Sequence, residues 1–318
     1  MSPWDGKSDG LERDLYEERR RKWRRSGFWR GIGLMVLLLG GFLWWALSNA
    51  ESEFPTGKHI ARISINGIIT QDRYRDEVLA KIADDDDVKA VVVWINSPGG
   101  SVVGSEILYE SLRAVAAKKP VVAEMAGVAA SGGYIAALGA DYIVAHSNTM
   151  TGSIGVIMEY PDMSGLLEQF GVEMQVLRSS GIKGGVSPFR AANPEELAAQ
   201  EALIEETFEW FKMLVAERRN LSGSALNDVT TGGVFSGRRA VEIGLIDGLG
   251  GEAAALAYLE SVDPALADLS LEDWALTEPE PWYSGTLSTL LGINALVSRI
   301  SASESPQLYS ITRAGVAE

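Results

Sequence analysis

The chain has 318 residues, of which 46% are hydrophobic and 22% charged, proportions that exclude global disorder and leave room for one sizeable core. It contains no cysteine, which excludes disulfides and thiolate metal sites. The net charge of −15 is uneven: residues 1–30 hold nine Lys and Arg against six Asp and Glu, which leaves −18 for the remainder. So acidic a body argues against nucleic acid as a partner, since such binding needs phosphates neutralised.

Near the N-terminus, GIGLMVLLLGGFLWWALS (31–48) carries no charge, and Phe28 and Trp29 extend it. About 20 apolar residues cross a bilayer as a helix, so residues 28–48 are expected to be a transmembrane anchor. Trp29, Trp44 and Trp45 suit its two interfaces. Arg19, Arg20, Arg21, Lys22, Arg24, Arg25 and Arg30 precede the run, while Glu51 and Glu53 follow it. The positive-inside rule therefore leaves residues 1–27 cytosolic and exports the rest across the inner (cytoplasmic) membrane. Ser48 and Ala50 also have the spacing of a leader cleavage site, but the apolar run exceeds a usual leader core, which favours a retained anchor.

A linker (49–58) leads to a domain expected over 59–260. The Ile-rich alternation of 59–70 predicts a strand, 73–84 a helix, and the apolar run 89–95 a strand buried on both faces. The acid run Asp84–Asp87 reads as a solvated turn rather than a metal site. A helix over 101–117, a strand over 121–127, a short helix over 131–139 and a strand over 141–145 follow, and 155–160 and 172–179 read as two more strands. Such alternation implies βαβ units and an α/β domain. Residues 193–219 carry the clearest helix signal, with Asn193 as N-cap, Pro194 at the first turn and Glu196 placed for a capping box. Its stripe of Ile204, Phe208, Phe211 and Val215 reads as core or subunit interface. After Leu271 periodicity fades, so 261–318 reads as an extension, with a small amphipathic helix possible over 285–299.

Two glycine turns carry chemistry. NSPGGS (96–101) and AASGGYIAA (129–137) each join a strand to a helix. In the first, backbone N–H groups are left uncovered to hold an oxyanion or phosphate, although a tight turn needing glycine explains it equally well. In the second, Ser131 presents a hydroxyl beside the N–H of Gly132, although a helix N-cap is the plainer explanation. A nucleophilic serine needs a base. His146, with Asp141 nearby in sequence, leaves a Ser–His–Asp triad open, while His59 lies far upstream. Lys183, alone in the Gly- and Ser-rich stretch 178–190, is the other candidate, since lysine acts as a base where burial lowers its pKa from roughly 10.4.

Taken together, NSPGGS (96–101), AASGGY (129–134), NTMTGSIGV (148–156), KGGVSP (183–188) and VFSGRRAVEIGLIDGLGG (234–251) resemble the signal peptide peptidase A family. The resemblance covers roughly residues 59–258 and implies an α/β fold of the Clp protease/crotonase-like ββα superhelix type. It implies a serine endopeptidase with Ser131 as nucleophile, Lys183 as general base, oxyanion donors at Gly100 and Gly132, and Ser153 holding the lysine amine. It further implies peptide substrates such as signal peptide remnants, no metal or cofactor, and a homo-oligomer whose neighbouring subunits can complete one another's dyads. Gly184 and Gly185 depart from the family, which often has an acidic or polar residue after the lysine, and His146 stands where the family has another polar residue. The rival readings are a related membrane Ser–Lys protease of envelope proteins and a crotonase-like acyl-CoA enzyme. The anchor and the acidic body argue against the latter.

Overall fold

The structure, a computed structural model, describes residues 32–41, 44 and 55–277. Two compact units divide at Thr56 and Gly57. In the first, residues 32–41 and 44 are helical; the rest of the expected anchor lies outside the described residues. Among the described residues, no helix is long and apolar enough to cross a membrane.

The second unit is built on an eight-stranded sheet. Its centre is β1 (His59–Ile69), β2 (Val88–Gly100) and β3 (Val121–Ala130), with β4 (Tyr142–Ala145) and β5 (Met150–Gly152) beside β3. β6 (Val234–Ser236), β7 (Gly248–Leu249) and β8 (Ser270–Asp273) complete it. Every pairing is parallel except β5 with β6. Parallel strands need crossovers, and these are α1 (Arg73–Asp84), α2 (Val102–Ala116) and the short α3 (Gly132–Ala137).

Successive strand residues point to opposite faces. On one face Ile60, Val92, Val122 and Val144 pack with Ala255 and Leu259 of α8 (Glu252–Val262). Ala61, Ile63, Val91, Val93 and Val121 take the alternate positions and are fully buried, as are Val78, Leu79 and Ile82 of α1 and Leu108, Leu112 and Val115 of α2. Burial on both faces explains the near-continuous apolar run in β2.

α4 (Ser164–Gln169), α5 (Pro194–Arg219), α6 (Gly223–Val229) and α7 (Gly237–Glu242) lie between β5 and β7 in the chain. α5 opens on the capping box that the sequence announces: Asn193 Oδ1 accepts from Glu196 N–H at 2.8 Å, and Glu196 Oε2 accepts from Asn193 N–H at 3.2 Å.

Two expectations need correction. Residues 155–160 and 172–179 form no strand: among the described residues no neighbouring strand is paired with them, and apolar alternation without a ladder partner cannot make a sheet. Ile157, Val172, Met174 and Leu177 are accordingly exposed. Conversely, Ser270–Asp273, which lack clear periodicity, pair with His59–Arg62 at the edge of the sheet. His59, at the start of β1, is buried beside this edge pairing. It is 1% exposed, and Trp274 Nε1–H donates to its Nε2 at 2.9 Å. Because indole N–H only donates, Nε2 is the acceptor, and Nδ1–H points at the carbonyl of Gly57, 2.6 Å away.

Candidate active site

On the side away from β2, β3 serves two neighbours, pairing with β4 through Val122–Met125 and with β5 through Val128–Ala130. Ser131 follows where the ladder with β5 ends. Its N–H donates to Gly152 O at 2.9 Å, and its carbonyl accepts from Tyr134 and Ile135 N–H to start α3. With φ 52° and ψ −120°, Ser131 holds a backbone conformation that costs a non-glycine residue about 1–3 kcal/mol. Ser131 occupies the N-cap position, yet its side chain makes no capping hydrogen bond. Ser101 at the start of α2 contrasts with it, its Oγ accepting from Gly104 N–H at 3.2 Å. The N-cap explanation of Ser131 therefore fails.

The glycines beside it are required by close backbone packing. A Cβ at Gly99 (φ 113°) would lie 2.9 Å from both Gly132 N and Ser131 Cβ, and one at Gly132 would lie 2.2 Å from Ser105 Oγ and 3.1 Å from Gly100 N. The two glycine turns thus stack directly, with the Gly99–Gly100 backbone against Ser131–Gly132. Ser97 Oγ braces the first turn by accepting from Gly99 N–H at 3.1 Å.

Ser131, Gly132, Gly100 and Ser153 line one cavity of about 630 Å³. Ile135 and Ile154, with Ile204, Phe208 and Phe211 of α5, give it apolar walls. The stripe on α5 is thus divided: Phe211 and Val215 are buried at 2% and 0%, while the half-buried Ile204 and Phe208 face the cavity. Ser153, like Ser131, has a left-handed backbone (φ 51°), and its N–H donates to Gly233 O at 2.8 Å.

Lys183 is exposed and lies outside this lining. Its loop is held by a buried ion cluster. Glu196, 0% exposed, pairs with Arg178 and with Arg190, whose NH2 is 2.5 Å and NH1 2.7 Å from the carboxylate. The Arg190 guanidinium, opposed by burial and aided by Arg178, holds the Glu196 carboxyl down at about 2.

Neither histidine reaches the cavity. His146 is exposed and stands with Glu124 over Gly251. Asp141 is engaged elsewhere, accepting from Arg113 and from Val121 N–H. Glu124 is 5% exposed with Oε2 unpartnered, and burial, then the charge of Glu252, pushes its carboxyl up. No group of three or more His, Asp and Glu is placed to hold a metal among the described residues. Sequence reasoning missed the strain at Ser131 and Ser153, the brace at Ser97, and the two-arginine cluster. For that cluster, Glu196 offered only its capping-box signal.

An α/β domain with a strained, uncapped serine over paired glycine turns fits a serine protease, and a Clp protease family model matches residues 60–154. A model of peptidase family S49 matches residues 113–264. A Synechocystis protein named "Putative protease" is 36% identical over 230 residues, covering 71% of this chain and 82% of that one. An Enterococcus faecium protein named "Putative signal peptide peptidase SppA" is 32% identical, covering 76% and 72%. The Arabidopsis thaliana "Serine protease SPPA, chloroplastic" is 32% identical over 184 residues, 57% of this chain and 27% of that protein. The chain belongs to peptidase family S49.

Proposed function

We propose that this serine protease is an endopeptidase working through Ser131 and Lys183. The observation that carries the reading is that Ser131 keeps a strained backbone and a side chain free of capping on a cavity walled partly by apolar side chains, beside the Gly100–Gly132 contact. The Ser131 hydroxyl adds to a peptide carbonyl while the neutral Lys183 amine takes its proton. The carbonyl oxygen, now negative, is met by the N–H groups of Gly100 and Gly132. Such donors contribute about 10²–10³ in kcat each. The tetrahedral species collapses as the C–N bond breaks, and the ammonium of Lys183 gives its proton to the departing amine. Water, deprotonated by the same lysine, then releases the acyl group from Ser131. Ser153 positions the lysine amine.

The position of Lys183 outside its own chain's cavity lining supports a homo-oligomer in which a second copy supplies the amine. The exposed apolar residues Ile157, Phe170, Val172, Met174 and Leu177 support it further, since large exposed apolar patches mark association surfaces. The apolar walls that Ile135, Ile154, Ile204 and Phe208 give the cavity suit membrane-derived peptides such as signal peptide remnants. The segment 28–48, basic before and acidic after, suits an anchor in the inner membrane with the domain on the outer side.

Peptide cleavage and labelling by a fluorophosphonate test this. Ser131→Ala and Lys183→Ala should each lose both activities, and His146→Ala should keep them. A mixture of the two inactive variants should recover activity if the dyad is shared between copies. Normal turnover by Lys183→Ala together with a collapse in His146→Ala would sink the dyad.

A further inference from the structure

We propose that Glu196 is the positioning residue for the loop that carries Lys183, holding that lysine's backbone in place through Arg178 and Arg190. The inference rests on Lys183 being the base. Residues 178–190 contain no regular ladder or helix, and Gly184 (φ 95°) and Gly185 (φ 57°) give the chain freedom right after the lysine. Something must oppose that freedom if an amine is to stay within hydrogen-bond reach of a serine, because catalytic geometry tolerates little displacement.

Two arginines supply the restraint symmetrically. Arg178 NH1 donates to Gly181 O at 2.9 Å, two residues before Lys183, and Arg190 NH2 donates to Gly185 O at 2.9 Å, two residues after it. Both also donate to Glu196 Oε1. Arg190 spends both terminal nitrogens this way, and its Nε is buried without a partner, so the carboxylate and the loop carbonyl hold it rather than solvent. Glu196 itself is immobilised in the first turn of α5 by the capping box. About two and three turns on, Ile204 and Phe208 of the same helix line the Ser131 cavity. One carboxylate therefore links the base-bearing loop to the helix that forms the substrate wall. Glutamine at 196 would keep the shape but leave two guanidiniums facing each other over a neutral amide, and the loop would lose its anchor.

The test compares the full-length protein with its Glu196→Gln and Glu196→Asp variants in steady-state cleavage of an apolar peptide and in thermal melting. Glu196→Gln should lower kcat about tenfold or more with KM within about twofold, the pattern of a displaced catalytic group. Glu196→Asp should exceed Glu196→Gln in kcat because the charge is kept. A kcat within about threefold of the parent, a loss borne by KM, or no advantage for Glu196→Asp overturns the proposal. Should Glu196→Gln not fold, Arg178→Gln and Arg190→Gln decide in its place, each expected to show the same kcat-borne loss, with unchanged kcat in both overturning it. Lys183→Ala run in parallel separates the two ideas. Retained turnover there refutes the base assignment itself, whereas an inactive Lys183→Ala beside an unimpaired Glu196→Gln refutes the positioning role alone.

Discussion

The N–H of Ser131 donates to the carbonyl of Gly152 at 2.9 Å. The next residue after that acceptor is Ser153, so one hydrogen bond ties together two serines that both hold left-handed backbone, at φ 52° and 51°. Neither conformation is favoured locally, and each is held by a hydrogen bond just past the end of a ladder: Ser131 N–H to Gly152 O beyond β3–β5, and Ser153 N–H to Gly233 O beyond β5–β6. Strain of this kind persists only where the surroundings over-determine it. Here the surroundings are the central sheet.

Gly132→Ala should cost about 10²-fold or more in kcat and about 1–3 kcal/mol of stability, because the new Cβ would meet Ser105 Oγ at 2.2 Å and press on Gly100 N at 3.1 Å. Adding Ser105→Ala removes the nearer atom and should return part of the activity. Steady-state kinetics of both variants checks this, and equal rates for the single and double variants would refute the steric account.

Gly100→Ala should behave differently. Its Cβ would fall 1.9 Å from Ile69 O, a backbone atom within the β1–β2 ladder that cannot step aside. Lost stability should dominate, read as a large fall in melting temperature or failure to accumulate folded protein; a stable variant with merely slower turnover would contradict it.

The α5 stripe offers a second contrast. Phe211 is 2% exposed, so Phe211→Ala should lose about 3–5 kcal/mol of stability. Phe208, half-buried at the cavity, should lose about 1 kcal/mol on truncation and instead raise KM for apolar peptides. Denaturant melts and KM values together test the division.

Much of this architecture is legible in the sequence where a local rule agrees with the tertiary outcome. Residues 73–84 are bounded as observed because Asp72 caps them and Val78, Leu79 and Ile82 share a face. The buried β2 announces itself by its apolar run, and α5 by Asn193, Pro194 and Glu196. The misses come from non-local pairing. Residues 172–179 alternate like a strand but find no ladder among the described residues, whereas Ser270–Asp273 do not alternate but find β1. The glycine turns, Ser131 and Ser153 were visible as motifs, but no sequence spacing reports that they line one cavity or that Lys183 stands outside it. The two-arginine cluster was invisible because Arg178 and Arg190 sit in an irregular loop, where periodicity carries no information.

Glu124 carries the last prediction. Its carboxyl is buried on β3 with Oε2 lacking a partner, and burial, reinforced by Glu252, raises its pKa above the ordinary 4.5. The folded state therefore holds this proton more tightly than the unfolded chain does. The stability linked to it is fully present below about pH 4.5 and is lost as pH rises through the folded-state value. Above that value the protein must either carry an incompletely paired buried carboxylate or open to solvate it. Glu124→Gln is uncharged at every pH and close in shape to the protonated form, so it should melt near the parent at about pH 4 and increasingly above it toward about pH 7. His146 and Arg62, which favour the ionised form, limit the gain, as does the backbone hydrogen bond from Glu252. Melting curves of the two proteins across that range decide the matter. A parent that outlasts Glu124→Gln at neutral pH would mean that the carboxylate is stabilised in the fold, the opposite of what its burial implies.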